Sequence, residues 1–343
     1  KGILAADEST PSITKRFASL GLVSTPELNK KYREMLFTTP NIEKYISGVI
    51  LFDETIKQGL GKILLDKGIL VGIKVDVGLH GFNNTEEQVT KGLEGLKQRL
   101  DEYKKLGATF TKWRAVFKIS DIYPSDNFLN ENLKRMADYA KIVQDHQMIP
   151  IVEPEILLDG NHTNTRCEEI STKVLKRLFE ILKEKNVNFD SLILKASMVL
   201  PGKDSGVVAM PLEVSNSTLR CLQNSVPNEV NGIVFLSGGQ TPDSATFNLN
   251  EIVKLKGANI TFRKEFNQWK IYESSTLKIL ASSSRRPETV IEEEVLAKFS
   301  FYNLIGKIIF YLTLSENLSG SLKKLDLKTS TNVKQTLENY FDE

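Results

Sequence analysis

Cysteine is scarce in this chain: Cys167 and Cys221 are the two it contains in 343 residues. They fall in no CxxC or Cys/His spacing, so neither a disulfide framework nor a structural zinc site is expected, and a reducing compartment suits the composition. Histidine is scarce as well, with His80, His146 and His162 scattered along the chain without ligand or triad spacing and expected at surfaces or helix ends. Long apolar runs are missing too. The greasiest stretch, residues 303–314, carries Lys307 and is too short to span a bilayer, and no charged-then-apolar leader is visible, so a cytoplasmic protein without membrane partners is expected. Neither GxGxxG nor GxxxxGK[ST] occurs, which leaves a nucleotide cofactor without a motif. A net charge of +2, from 45 basic and 43 acidic residues, gives nucleic acid no basic domain to bind.

Apolar residues at 41% and charged ones at 26% describe a globular chain with a large core. Short runs rich in Val, Ile and Leu recur between longer helical patterns, the signature of repeated βα units. Eight strands are expected, at 2–6, 48–52, 72–75, 110–117, 149–152, 192–195, 232–236 and 259–262, with helical periodicity over 85–106, 130–144, 163–185 and 210–225. Eight such units without a glycine-rich first turn favour a single (β/α)8 TIM barrel with parallel strands over an open sheet. The catalytic domain is expected over 1–310, followed by a carboxyl-terminal tail at 311–343.

Nearly every expected strand carries a charge or hydroxyl inside it or at its carboxyl end. Asp7, Glu8 and Ser9 follow the first, and Asp53 and Glu54 the second; Lys74 and Asp76 belong to the third, Lys112 and Arg114 to the fourth. Glu153 and Glu155 follow the fifth, Lys195 lies in the sixth, and Ser237-Gly238-Gly239 follow the seventh. In a parallel barrel these ends converge on one face, where such enzymes keep their active sites. Residues two apart on a strand share a face, so Lys112 goes with Arg114, Lys74 with Asp76, and Glu153 with Glu155. Lysines inside a barrel bear a large desolvation cost unless partners or function compensate. Lys195, preceded by Leu192-Ile193-Leu194, is the best candidate for an amine kept neutral by burial and by a neighbouring Lys112, able to attack a carbonyl. Two glutamates nearby would serve the proton transfers of imine chemistry.

Seven segments then carry a resemblance: Gly-Ile-Leu-Ala-Ala-Asp-Glu-Ser-Thr from Gly2, Gly-Val-Ile-Leu-Phe from Gly48, Gly-Ile-Lys-Val-Asp from Gly72, and Lys-Trp-Arg from Lys112. They continue with Pro-Ile-Val-Glu-Pro-Glu from Pro150, Leu-Lys-Ala-Ser-Met-Val from Leu194 and Phe-Leu-Ser-Gly-Gly-Gln from Phe235. In order and spacing, from Gly2 to about Phe262, the chain resembles class I fructose-1,6-bisphosphate aldolases. The resemblance implies a Schiff-base lyase without metal or cofactor, acting on phosphorylated ketoses and trioses and assembling as a homotetramer. It implies Lys195 as the imine-forming lysine, Glu153 as the acid/base of carbinolamine formation and dehydration, and Asp7 as the acceptor of the C4 hydroxyl proton. Lys112 and Glu155 would hold the charge network around the imine. Ser237 and Gly238, with Gly239 in the same turn, would meet the C1 phosphate; Ser9, Ser12, Arg16, Lys74 and Arg114 would lie on the C6-phosphate side.

The chain departs from the family in three places. Pro11 stands where a glycine is usual, and Ala196-Ser197 follow the lysine where Pro-Asn is common. After the last expected strand, the family arginine that grips the C1 phosphate has no clear equivalent in Thr261 to Lys270, although Arg263, Lys264 or Lys270 could replace it. Tyr340 is a candidate for the functional tyrosine near the end of many relatives. Two other readings stand beside the main one: a lysine-imine aldolase preferring a monophosphate, and a non-catalytic scaffold that keeps the barrel.

Overall fold

The structure, a computed structural model, describes residues 1–255 apart from Asn231. It contains seven of the eight strands of a (β/α)8 barrel: β1 (Gly2–Ala6), β2 (Ile46–Leu51), β3 (Leu70–Lys74), β6 (Ala108–Phe117), β7 (Ile149–Ile156), β8 (Ile193–Ala196) and β9 (Gly232–Phe235). A small antiparallel hairpin of β4 (Leu79–Gly81) and β5 (Gln88–Thr90) interrupts the count. The large sheet runs in the order β1-β2-β3-β6-β7-β8-β9, and every neighbouring pair is parallel. Each barrel strand thus pairs with the next in sequence, as curling staves do, so all carboxyl ends share one rim. The strand expected at 259–262, the residues Arg263, Lys264, Lys270 and Tyr340, and the tail at 311–343 lie outside the described residues.

Local chemistry explains where the helices start. Ser125 accepts a hydrogen bond from Phe128 N–H to open the helix Asp126–Asp145, and Thr163 accepts from Arg166 N–H to open Asn164–Glu184. Pro211 and Pro242 occupy first-turn positions of Pro211–Ser225 and Pro242–Lys254, where a missing N–H costs nothing.

Strand β6 shows how the two faces of the barrel wall are used. Thr111 and Trp113 point outward: the Thr111 hydroxyl meets the Tyr139 hydroxyl at 2.7 Å, and Trp113 stacks on the Tyr139 ring with centroids 5.2 Å apart. Phe110, Lys112 and Arg114 must then face the interior. Phe110 plugs the barrel beside Gly72, its partner in register on β3. A Cβ on Gly72 would fall 2.1 Å from the Phe110 ring, so only glycine leaves room for it. Exposure rises along this face, from 0% at Phe110 and 4% at Lys112 to 27% for the Arg114 side chain, which makes the Arg114 end the open mouth.

Two expectations need correction. Helical periodicity over 85–106 overreached at its amino end: residues 88–90 are β5, with Val89 and Thr90 buried, and left-handed Gly92 and Gly95 precede the helix Leu96–Lys105. The carboxylates expected after residue 152 lie within the strand instead, because β7 continues to Ile156 and buries Glu153 and Glu155. The other strand ends differ by one or two residues, and β1 coincides with 2–6.

Candidate active site

Four of the expected residues form one contiguous cluster in the barrel interior. The Lys195 Nζ of β8 lies 2.6 Å from Glu153 Oε1 on β7. The other oxygen, Glu153 Oε2, is 3.2 Å from Lys112 Nζ of β6, which in turn sits 2.5 Å from Asp7 Oδ2, just past β1. Lys112, Glu153 and Lys195 are each more than nine-tenths buried. Four charges in so little water are tolerable only because cations and anions alternate along the chain of contacts.

The electrostatics separate the two lysines. Burial, joined by the nearby Lys112 ammonium, lowers the pKa of Lys195 even though Glu153 and Asp7 act against it. Lys112 goes the other way. Burial opposes its charge as well, but Asp7, Glu153 and Asp76 outweigh that and hold its pKa above the usual lysine range. Asp7 is held well below the ordinary carboxylate range: burial alone would raise it, and Lys112, Lys195 and Lys74 prevail. The cluster therefore sets a cation at Lys112 and an anion at Asp7 beside a lysine, Lys195, whose own charge is disfavoured and whose ammonium nitrogen touches Glu153.

A second network lies nearer the mouth. Arg114 Nε pairs with Glu155 Oε2, and the Arg114 N–H donates to Asp76 Oδ2 at 3.3 Å. Lys74 Nζ bonds both Asp76 Oδ1 and the Asp76 carbonyl, at 2.6 Å each. Glu155 thus pairs with Arg114, one layer out from Lys195. On the β1 side, the Ser9 and Ser12 hydroxyls are 3.1 Å apart at the amino end of the helix Thr10–Ser19. Arg16 and Arg33 each reach a different oxygen of Glu8 at 2.5 Å, and Arg33 also bonds the Glu8 carbonyl at 3.1 Å. Ser237, Gly238 and Gly239 form a turn after β9, with Gly238 at φ 59° and Gly239 at φ 88°.

Some charged residues at strand ends do not join the site. Asp53 opens a short helix, pairs with Lys57 at 2.8 Å and accepts from the Tyr103 hydroxyl at 2.8 Å, while Glu54 accepts from Asn29. Arg33, which holds Glu8, was left out of the sequence reading. Arg33 had no signal, being one of several charges on a polar-looking helix; Asp76 was visible as the partner of Lys74. Of the histidines, His80 is exposed and His146 ends a helix as expected, but His162 is buried. Among the described residues, no group of three or more His, Cys, Asp or Glu is arranged to hold a metal ion.

Comparison with known proteins gives consistent neighbours. The family described as "Glycolytic: Fructose-bisphosphate aldolase class-I" matches residues 1–288. A "Probable fructose-bisphosphate aldolase class 1" of Xanthomonas campestris is 44% identical over 286 residues, covering 81% of this chain and 85% of the relative. A "Fructose-bisphosphate aldolase, cytoplasmic isozyme" of Cicer arietinum is 44% identical over 339 residues, 96% and 93% of the two chains. Among solved structures, fructose-bisphosphate aldolase of Plasmodium falciparum, in complex with TRAP and a small-molecule inhibitor, superposes with a TM-score of 0.75. It is 37% identical, with 90% of this chain and 89% of that one covered.

Proposed function

Because the chain belongs to the class I fructose-bisphosphate aldolase family, we propose that the buried cluster around Lys195 is its imine-forming centre. The protein is a lyase that reversibly cleaves fructose 1,6-bisphosphate into dihydroxyacetone phosphate and glyceraldehyde 3-phosphate in glycolysis and gluconeogenesis. The observation that carries the residue assignment is the 2.6 Å contact between Lys195 Nζ and Glu153 Oε1. That contact lets one proton pass from ammonium to carboxylate, yielding together the neutral amine and the protonated acid that the reaction requires.

Neutral Lys195 attacks the C2 ketone, and the proton that its nitrogen gives up passes to the new alkoxide, leaving a neutral carbinolamine. Glu153 then delivers its proton to the departing hydroxyl, water leaves, and a positively charged iminium forms. Asp7, kept ionised by Lys112, accepts the C4 hydroxyl proton as the C3–C4 bond breaks. The bonding electrons move into the iminium to give an enamine, and the C4 end leaves as the aldehyde glyceraldehyde 3-phosphate. Protonation of the enamine at C3, which takes back the proton held by Asp7, and addition of water to the imine release dihydroxyacetone phosphate and restore Lys195. Lys112 holds its charge throughout and orients Asp7 and Glu153, its two contacts. Near the mouth, the Ser237–Gly239 turn is suited to the C1 phosphate, with its backbone N–H groups as donors. Ser9, Ser12, Arg16, Lys74 and Arg114 are suited to the C6 phosphate through hydroxyls and cations.

Borohydride added with fructose 1,6-bisphosphate tests the assignment: a stable secondary amine is expected on the peptide containing Lys195. A protein that turns over substrate yet shows no adduct there would refute it. The names of the plant relatives support a cytoplasmic location, and family resemblance supports a homotetramer, which the mass of the native particle would reveal.

A further inference from the structure

The loop after β8 carries a lysine that the reaction described above does not use. Lys203 begins a short turn, Lys203–Ser205, that is stapled to the loop after β7. Gly202 N–H donates to His162 O at 2.8 Å, Lys203 N–H to Leu158 O at 2.8 Å and Asp204 N–H to Gly160 O at 2.9 Å; Asp204 Oδ2 accepts from Gly160 N–H at 3.1 Å. The two loops approach so closely that a Cβ on Gly202 would lie 2.1 Å from the Gly160 carbonyl oxygen. This rigid base aims the Lys203 side chain across the rim at the turn that follows β9. Its Nζ lies 3.0 Å from where a Cβ on Gly239 would be, and its Cε 3.2 Å. The ammonium therefore rests against the Gly239 backbone, where φ 88° favours glycine.

The turn itself has the form of an anion seat. Gln240 N–H donates to Ser237 O at 3.0 Å and closes it, while among the described residues the Gly238 and Gly239 N–H groups have no acceptor. Lys195 pairs in register with Val234, and Ser237 is three residues further toward the mouth, about 10 Å at the rise of a strand. The stem of Lys195, followed by the imine carbon, C1 and the phosphate ester, spans a similar distance. The counter-ion that Lys203 has in the structure is Asp159, at 3.4 Å with both side chains about half or more exposed, a pairing that a phosphate dianion can displace or join.

Building on the Schiff-base assignment, we propose that Lys203 is the cation that binds the phosphate adjacent to the imine carbon, and so makes this enzyme selective for ketoses phosphorylated at that end. The role suits a chain whose sequence offers no clear arginine for it after the last expected strand.

The experiment is borohydride trapping of the Lys195 imine, titrated in parallel with dihydroxyacetone phosphate and with unphosphorylated dihydroxyacetone, on the wild type, Lys203→Gln and Lys203→Arg. In Lys203→Gln, half-maximal trapping is expected to need about tenfold more dihydroxyacetone phosphate, the lower range for a lost charge-assisted contact at a wet site. The dihydroxyacetone titration should not move, and Lys203→Arg should recover most of the loss. An unchanged phosphate titration in Lys203→Gln overturns the proposal, as does an equal shift for both ketones, which would mean general damage to the site. Absence of any Lys195 adduct in the wild type would instead remove the imine assignment beneath it.

Discussion

Replacing Glu153 by glutamine separates two effects that the wild-type carboxylate combines. At 2.6 Å from Lys195, the charge stabilises the ammonium by a gross Coulomb energy of about 6 kcal/mol at an effective dielectric near 20. Glutamine removes that attraction while Lys112, still paired with Asp7 at 2.5 Å, goes on repelling a second cation. The Lys195 amine should therefore become more neutral and more reactive toward a small acylating reagent at a fixed pH. Iminium formation should move the opposite way, because an amide cannot protonate the leaving hydroxyl. Losing a general acid typically slows such a step by about 10² to 10⁴, or about 3–5 kcal/mol in the barrier. The fold should tolerate the change, since neutral Lys195 leaves Lys112 and Asp7 as a balanced pair in the interior. The assay has two arms: site-resolved acylation of Lys195 by mass spectrometry, and single-turnover borohydride trapping with dihydroxyacetone phosphate. Slower acylation in Glu153→Gln, or trapping at the wild-type rate, would refute the view that this carboxylate both charges Lys195 and supplies its proton.

Asp7→Asn should abolish carbon–carbon cleavage and flatten the acid limb of the stability curve. The folded-state pKa of Asp7 is depressed from 3.8, so its contribution to stability is present above that value and is lost as pH falls toward the folded pKa. Urea midpoints measured from pH 4 downward should fall faster in the wild type than in Asp7→Asn; parallel curves would contradict the assignment. Gly72→Ala should destabilise by at least about 1–3 kcal/mol through its clash with Phe110, and a second change, Phe110→Leu, should recover part of the loss in equilibrium unfolding. Equal stability of Gly72→Ala and the wild type would mean the barrel interior is less tightly filled at that layer.

The sequence made the barrel legible because fully buried parallel strands read as uninterrupted Val, Ile and Leu runs, and β1 has the same bounds in both readings. Lys74, Lys112 and Lys195 stood out because a charge is expensive in such a run. Boundaries were harder. Glu153 and Glu155 looked like loop residues because carboxylates are poor strand formers, yet ion pairs with Lys112, Lys195 and Arg114 carry β7 on to Ile156. Strand β5 was read as helix because Val89 and Thr90 fit either periodicity over so short a span; only its packing decides, with Thr90 N–H bonding Asn132 and Ser125 bonding Glu87. Which carboxylate serves which cation could not be read at all, since it depends on the offset between strands far apart in the chain. For that reason the Arg114–Glu155 pair was not foreseen and Arg33 went unnoticed.

Strand β6 places its anchoring residues and its reacting-site residues in strict alternation, so the two sets share a single reading frame. Deleting or inserting one residue anywhere in Ala108–Phe117 would turn Trp113 into the charged interior and Lys112 toward the Tyr139 ring, losing fold and chemistry at one stroke. The Asn83–Asn84 corner of the nearby hairpin, where both residues have positive φ, lies outside that alternation. Homologues of this protein should therefore vary in size at that corner and never within the strand.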